Sequence, residues 1–203
     1  MVPRLVRRRS AELRDAVSRA RLTTRFFLLL AMGAGSWLGP LSLGFAALPA
    51  AASTEALAAL ARPSVVVLSH FGRDGKEDGV GAGFVVSSNG LIATALHVIG
   101  EARPVKVRLA DGREQEATEI HAWDRTLDLA IIRIQAQRLP ALPLGDSDAL
   151  KQGVPVVAMG NPLGLEHSIV QGVVSAKREL GGVDMLQLAI PVEPGNSGGP
   201  LLD

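Results

Sequence analysis

Between residues 64 and 134 the chain is cut into short β-branched and aliphatic segments by glycine, proline, aspartate and asparagine. This punctuation restricts the fold more than any other feature of the sequence. The segments 64–71, 80–87, 91–95, 105–110, 114–123 and 129–134 recur at the spacing of strands joined by tight turns, and six of them predict a small barrel. Asp74-Gly75, Asn89-Gly90 and Asp111-Gly112 are pairs that accept positive φ, so each is a hairpin candidate. A proline-containing connector over 139–148 leads to a second series at 155–159, 169–177, 183–190 and 200–202. Ahead of the first strand, 53–62 reads as a short helix capped by Ser53 or Thr54 and stopped by Pro63. The predicted class is all-β, with a leading helix.

The amino terminus has a different composition. Residues 1–25 carry eight arginines against Glu12 and Asp15, so the overall charge of +1 hides a remainder of about −5 after that stretch. No uncompensated basic face is left for nucleic acid. An apolar run over 26–48 follows, then Pro49 and the small residues Ala50, Ala51 and Ala52. That pattern is expected of a cleaved secretion signal. Its competitors are a retained inner-membrane anchor, since 23 residues just span a bilayer, and a buried core helix, against which several glycines and Pro40 argue. Both export readings put the remainder outside the cytoplasm, periplasmic or secreted. The chain has no cysteine, which removes disulfides, thiolate metal sites and a thiol nucleophile. The expected organisation is 1–52 as signal or anchor, 53–137 as a first barrel with its leading helix, and 138–203 as part of a second.

The strongest chemical signal is Gly195-Asn196-Ser197-Gly198-Gly199-Pro200. Glycines around a serine let backbone amides converge on one point, as an oxyanion hole requires, although such a string is also an ordinary surface turn. A serine hydroxyl needs a base to take its proton and a carboxylate to hold that base. Of four histidines, His97 stands where the segment 91–95 gives way to a short helical turn, whereas His70, His121 and His167 lie in polar or strand-end contexts. Asp128 heads the segment 129–134 between Leu127 and Leu129. Taken singly, His97 reads as a core histidine and Asp128 as a strand-start acid. In order, His97, then Asp128 31 residues on, then Ser197 69 residues further, they follow the chymotrypsin-like sequence of roles.

The strings ALARPSVVVL, GAGFVVSSNGLIATALHVI, DLAIIRI, GNPLG, GVVSAKR and PGNSGGPLL occur in this order over about residues 58–203. Together they are similar to the protease domain of the HtrA/DegP family of trypsin-like serine endopeptidases. The resemblance implies two six-stranded chymotrypsin-like β-barrels, with His97 and Asp128 from the first and Ser197 from the second, and the second barrel incomplete at the carboxyl end. It implies an endopeptidase acting on unfolded or damaged proteins in the cell envelope, with neither cofactor nor metal. Ser197 would attack the peptide carbonyl, His97 would carry the proton and Asp128 would orient His97. The turn Gly195, Asn196, Ser197 would form the oxyanion hole through the amides of Gly195 and Ser197. Asn196 stands where digestive relatives have an aspartate, so activation by a new amino terminus is not expected. Ile190, Pro191 and Val192 fall in the segment lining the primary specificity pocket, where their apolar character favours a small or aliphatic side chain.

Partners expected from the resemblance are unfolded polypeptide substrates and further copies of the chain in a homo-oligomer. Two more strands, and often a peptide-binding PDZ domain, follow the nucleophile in the resembled fold. A chain ending at Asp203 is accordingly expected to be a weak protease. The competing expectation is a noncatalytic protease-like chaperone or adaptor, or an inactive fragment.

Overall fold

The computed structural model describes residues 53–72, 76–100, 104–161, 168–191 and 195–203. The anticipated signal or anchor, the Asp74-Gly75 turn, His167 and Val192 lie outside these. The leading helix α1 (Thr54–Ala61) begins where the Ser53 hydroxyl accepts from the Ala56 N–H at 3.1 Å, and it tightens into a 3-10 turn over Arg62–Ser64. Pro63 sits in that turn, where its missing N–H removes no α-helical bond. No helix among the described residues is long and apolar enough to cross a membrane.

Six strands then close a barrel in the order β1-β2-β3-β6-β5-β4: β1 (Val65–Phe71), β2 (Glu77–Ser87), β3 (Leu91–Ala95), β4 (Val105–Arg108), β5 (Glu114–Asp124) and β6 (Leu129–Ile134). The helical turn α2 (Leu96–Ile99) follows β3 directly. β4 shows the alternation of a barrel wall, with Val105 and Val107 buried and Lys106 and Arg108 exposed. β1 instead opens on a continuous apolar run, Val65 to Leu68, because both its faces are covered there. Val66 and Leu68 point into the barrel core with Ile92, Ile132 and Val107, while Val65 joins Ala58 and Ala61 of α1 and Val157 and Met159 of the next sheet. Each fully buried aliphatic side chain contributes about 1.5–3 kcal/mol relative to exposure.

The second series forms an antiparallel sheet in the order β10-β7-β8-β9, from β7 (Pro155–Gly160), β8 (Ser168–Leu180), β9 (Val183–Ala189) and β10 (Leu201–Leu202). Among the described residues it is an open four-stranded sheet, where the sequence led to expect part of a second barrel. The β8–β9 hairpin turns on Gly181-Gly182, both at positive φ, the pair required by the two-residue turn that matches strand twist. The connector stays on the first barrel beyond its last strand. Leu139 N–H donates to Ser88 O at 3.1 Å and Leu142 N–H to Val85 O at 2.9 Å, and Ala136 and Leu139 complete the barrel core.

Candidate active site

α2 carries His97 at the rim of the barrel. Val98 and Ile99 are buried in the core beneath it, which turns His97 outward. Asp128 reaches it from the turn before β6. That turn is built by Asp124, whose Oδ1 accepts from Thr126 N–H at 2.8 Å and Leu127 N–H at 3.1 Å. Asp128 has φ +50°, a left-handed conformation that aspartate tolerates better than most residues.

In this conformation Asp128 makes three bonds to two successive residues. Its carbonyl accepts from Leu96 N–H at 2.9 Å, Oδ1 from His97 N–H at 3.0 Å, and Oδ2 meets His97 Nδ1 at 2.5 Å. An ionised carboxylate only accepts, so the proton of a neutral imidazole lies on Nδ1 and Nε2 is left as a base. The side chains are 59% and 49% exposed, so solvent screens the pair. Its effect is orientation more than stability.

Ser197 arrives on the turn between β9 and β10, held on two sides. Toward the sheet, Asn161 N–H donates to Gly195 O at 3.0 Å and Met159 N–H to Pro200 O at 3.2 Å, while within the turn Gly199 N–H donates to Asn196 O at 3.0 Å. Toward the barrel, Ala82 N–H donates to Ser197 O at 2.9 Å. Gly198, at φ +82°, lies so close to β2 and β3 that a Cβ there would stand 2.4 Å from both Ala82 O and Thr94 Oγ1. Gly81 clears the same seam, since a Cβ on it would meet Val98 at 2.6 Å and Ser197 O at 3.2 Å. No hydrogen bond within the described residues occupies the N–H of Gly195 or of Ser197. Among the described residues, the side-chain oxygens of Asn161 and Asn196 are buried without a hydrogen-bond partner at the base of this turn.

The anticipated residues are therefore distributed as follows. His97 and Asp128 are bonded to each other, and Ser197 is docked through its backbone on the strand beside them. No hydrogen bond joins Ser197 to His97 among the described residues. Ile190 is half-buried beside Gly172, and Pro191 is exposed. His70 packs over Gly79, and His121 Nδ1 pairs with Glu119 Oε1 at 2.9 Å, so neither lies with the pair. The seam of Gly81, Ala82 and Thr94 was missed in the sequence. Its signal was there in glycines at alternate positions of β2, Gly79, Gly81 and Gly83, since glycine inside a strand marks a close backbone approach.

Residues 81–203 match the family profile described as a trypsin-like peptidase domain. A probable periplasmic serine endoprotease, DegP-like, from Pseudomonas fulva (strain 12-X) is 42% identical over 136 residues, 65% of this chain and 28% of that protein. The putative serine protease HhoB of Synechocystis sp. is 39% identical over 138 residues, 64% of this chain and 33% of its own length. The chain thus spans about a third or less of these curated relatives. Among solved structures, an HtrA-type protease, AlgW, with a tripeptide is similar at a TM-score of 0.68 and 33% identity, over 75% of this chain and 51% of that one. The serine endoprotease of Yersinia pestis is similar at 0.66 and 32%, over 74% and 53%.

Proposed function

The chain belongs to the trypsin-like peptidase family, and from that premise we propose that it is a serine endopeptidase of the HtrA/DegP type with Ser197 as nucleophile. His97 is its base and acid, and Asp128 holds the imidazole. The observation that carries this reading is the bond of His97 Nδ1 to Asp128 Oδ2, made at the barrel rim where the Ser197 turn is docked on Ala82. Nε2 of His97 takes the hydroxyl proton as Ser197 Oγ attacks the peptide carbonyl, and returns it to the departing amine. Water then cleaves the acyl-enzyme by the same route. The amides of Gly195 and Ser197, unoccupied among the described residues, receive the oxyanion, the turn being Gly195, Asn196, Ser197. Ile190 and Pro191 are assigned to one wall of the primary pocket, and the apolar composition of the segment 190–192 favours a small or aliphatic residue before the cut. The substrate class is unfolded or damaged polypeptide in the periplasm, in keeping with relatives named periplasmic endoproteases.

An organophosphonate that labels activated serines tests this in the full-length protein. Labelling confined to Ser197, and lost in Ser197→Ala together with peptide hydrolysis, is the expected result. In Ser197→Ala only the roughly 10³ to 10⁴-fold acceleration supplied by binding and the oxyanion hole remains. A protein that binds unfolded polypeptide, takes no label and cleaves nothing would instead be a noncatalytic protease-like chaperone.

A further inference from the structure

Ser197 and His97 stand on different parts of the fold and share no hydrogen bond among the described residues. Their separation is set by how the nucleophile turn sits on the barrel. β3 pairs with β2 as far as Thr94 opposite Gly83, after which the chain bends away into α2. A longer β3 would have offered the next carbonyl to Ala82 N–H. Ser197 O takes that ladder position instead, at 2.9 Å. The other backbone polar group of Ala82, its carbonyl, accepts from Thr94 Oγ1 at 2.7 Å. Thr94 is 2% exposed, and its hydroxyl also lines the space against Gly198, where a Cβ would come within 2.4 Å of it.

We propose that Thr94 is a positioning residue for the nucleophile: its hydroxyl holds the carbonyl of Ala82, the residue whose N–H docks the Ser197 turn, and so sets the reach of Ser197 Oγ to His97. This rests on Ser197 being the nucleophile. Threonine suits the place because its β-branched side chain is stiff at χ1 and directs the hydroxyl at one carbonyl. The hydroxyl donates to Ala82 C=O while Ala82 N–H donates to Ser197 O, so a shift at Thr94 moves the docking donor. A displacement of about an ångström in such a frame costs up to about 10²-fold in rate.

The test compares Thr94→Val and Thr94→Ser in the full-length protein by phosphonate labelling rate, kcat, KM and thermal unfolding. A positioning role ranks serine near the wild type and valine at least about tenfold lower in labelling and kcat, with KM within about twofold. A packing role reverses the order, because valine keeps the β-branched volume and serine does not. Were Thr94→Val to fail to fold, Thr94→Ser would still decide: labelling near the wild-type rate despite a lower melting point supports the proposal, and loss of labelling overturns it. Wild-type labelling of Thr94→Val, with Ser197→Ala unlabelled, overturns the positioning role alone. Undiminished labelling of Ser197→Ala overturns the nucleophile assignment and this inference with it.

Discussion

The barrel β1–β6 and the sheet β7–β10 satisfy their backbones in different ways. Every barrel strand has a neighbour on both sides, whereas in the sheet β9 and β10 each have one among the described residues. Their side chains differ in the same sense. The barrel encloses Leu68, Ile92, Ile99 and Ile132 at no exposure, while the β8–β9 hairpin leaves Leu180 62% and Met185 51% exposed. His97 and Asp128 stand on the closed unit, and Ser197 hangs from the open one. The closed half of the site and the open half are joined by the Ala82–Ser197 seam. The lesson is that the Ser197 turn takes one of its anchors from the barrel.

The largest expected difference is chemical. Asp128→Asn keeps a residue that accepts φ +50° and can still bond α2, so the barrel should fold and the serine turn should dock as before. The amide can present its N–H₂ to Nδ1 and favour the wrong tautomer, and kcat should fall by about 10⁴-fold. Peptide kinetics alongside amide exchange at Ala82 check this. Loss of Ala82 protection together with activity would show that the two halves are not separable.

Next in size is the packing contrast. Ile132→Ala in the barrel should lower the unfolding free energy by about 2–5 kcal/mol, whereas Met185→Ser on the hairpin should change it by no more than about 0.5 kcal/mol. Urea unfolding of both variants gives the ratio, and equal costs would break the distinction between the units.

The smallest expected effect is electrostatic and lies on the outer face of the barrel. Hydrogen bonds from His121 and then Arg133 hold the Glu119 carboxyl below its usual value of 4.5. A carboxyl depressed in the folded state adds stability above its unfolded pKa, and that contribution disappears as pH falls through the folded value. Glu119 is exposed and its partners are partly so, and solvent screening makes the loss slight. Melting temperatures taken downward from pH 5 should show a shallower decline for Glu119→Gln than for the unsubstituted protein. Parallel curves would remove Glu119 from the acid response.

Much of this molecule was legible in the sequence because its strands are short and its turns chemically marked. The segments 91–95 and 129–134 were placed to the residue, and Asn89-Gly90 and Asp111-Gly112 do turn the chain, with Gly90 at φ +94° and Gly112 at φ +84°. Less legible was β8, which runs to Leu180, beyond the expected 177. Lys177, Arg178 and Glu179 carry no apolar alternation, and pairing with β9 holds them extended.

For the candidate site, residue types and their order singled out His97, Asp128 and Ser197, since an acid, a base and a hydroxyl leave a signature in one dimension. What the sequence alone determined was therefore the strand punctuation and the choice of candidate residues. Only the tertiary structure decided that Asp128 adopts positive φ to bind residues 96 and 97 together, and that Ser197 takes a ladder position on β2 next to Thr94. Both follow from where β3 ends and α2 begins, and that geometry depends on contacts between residues 31 to 115 positions apart, which no local pattern encodes.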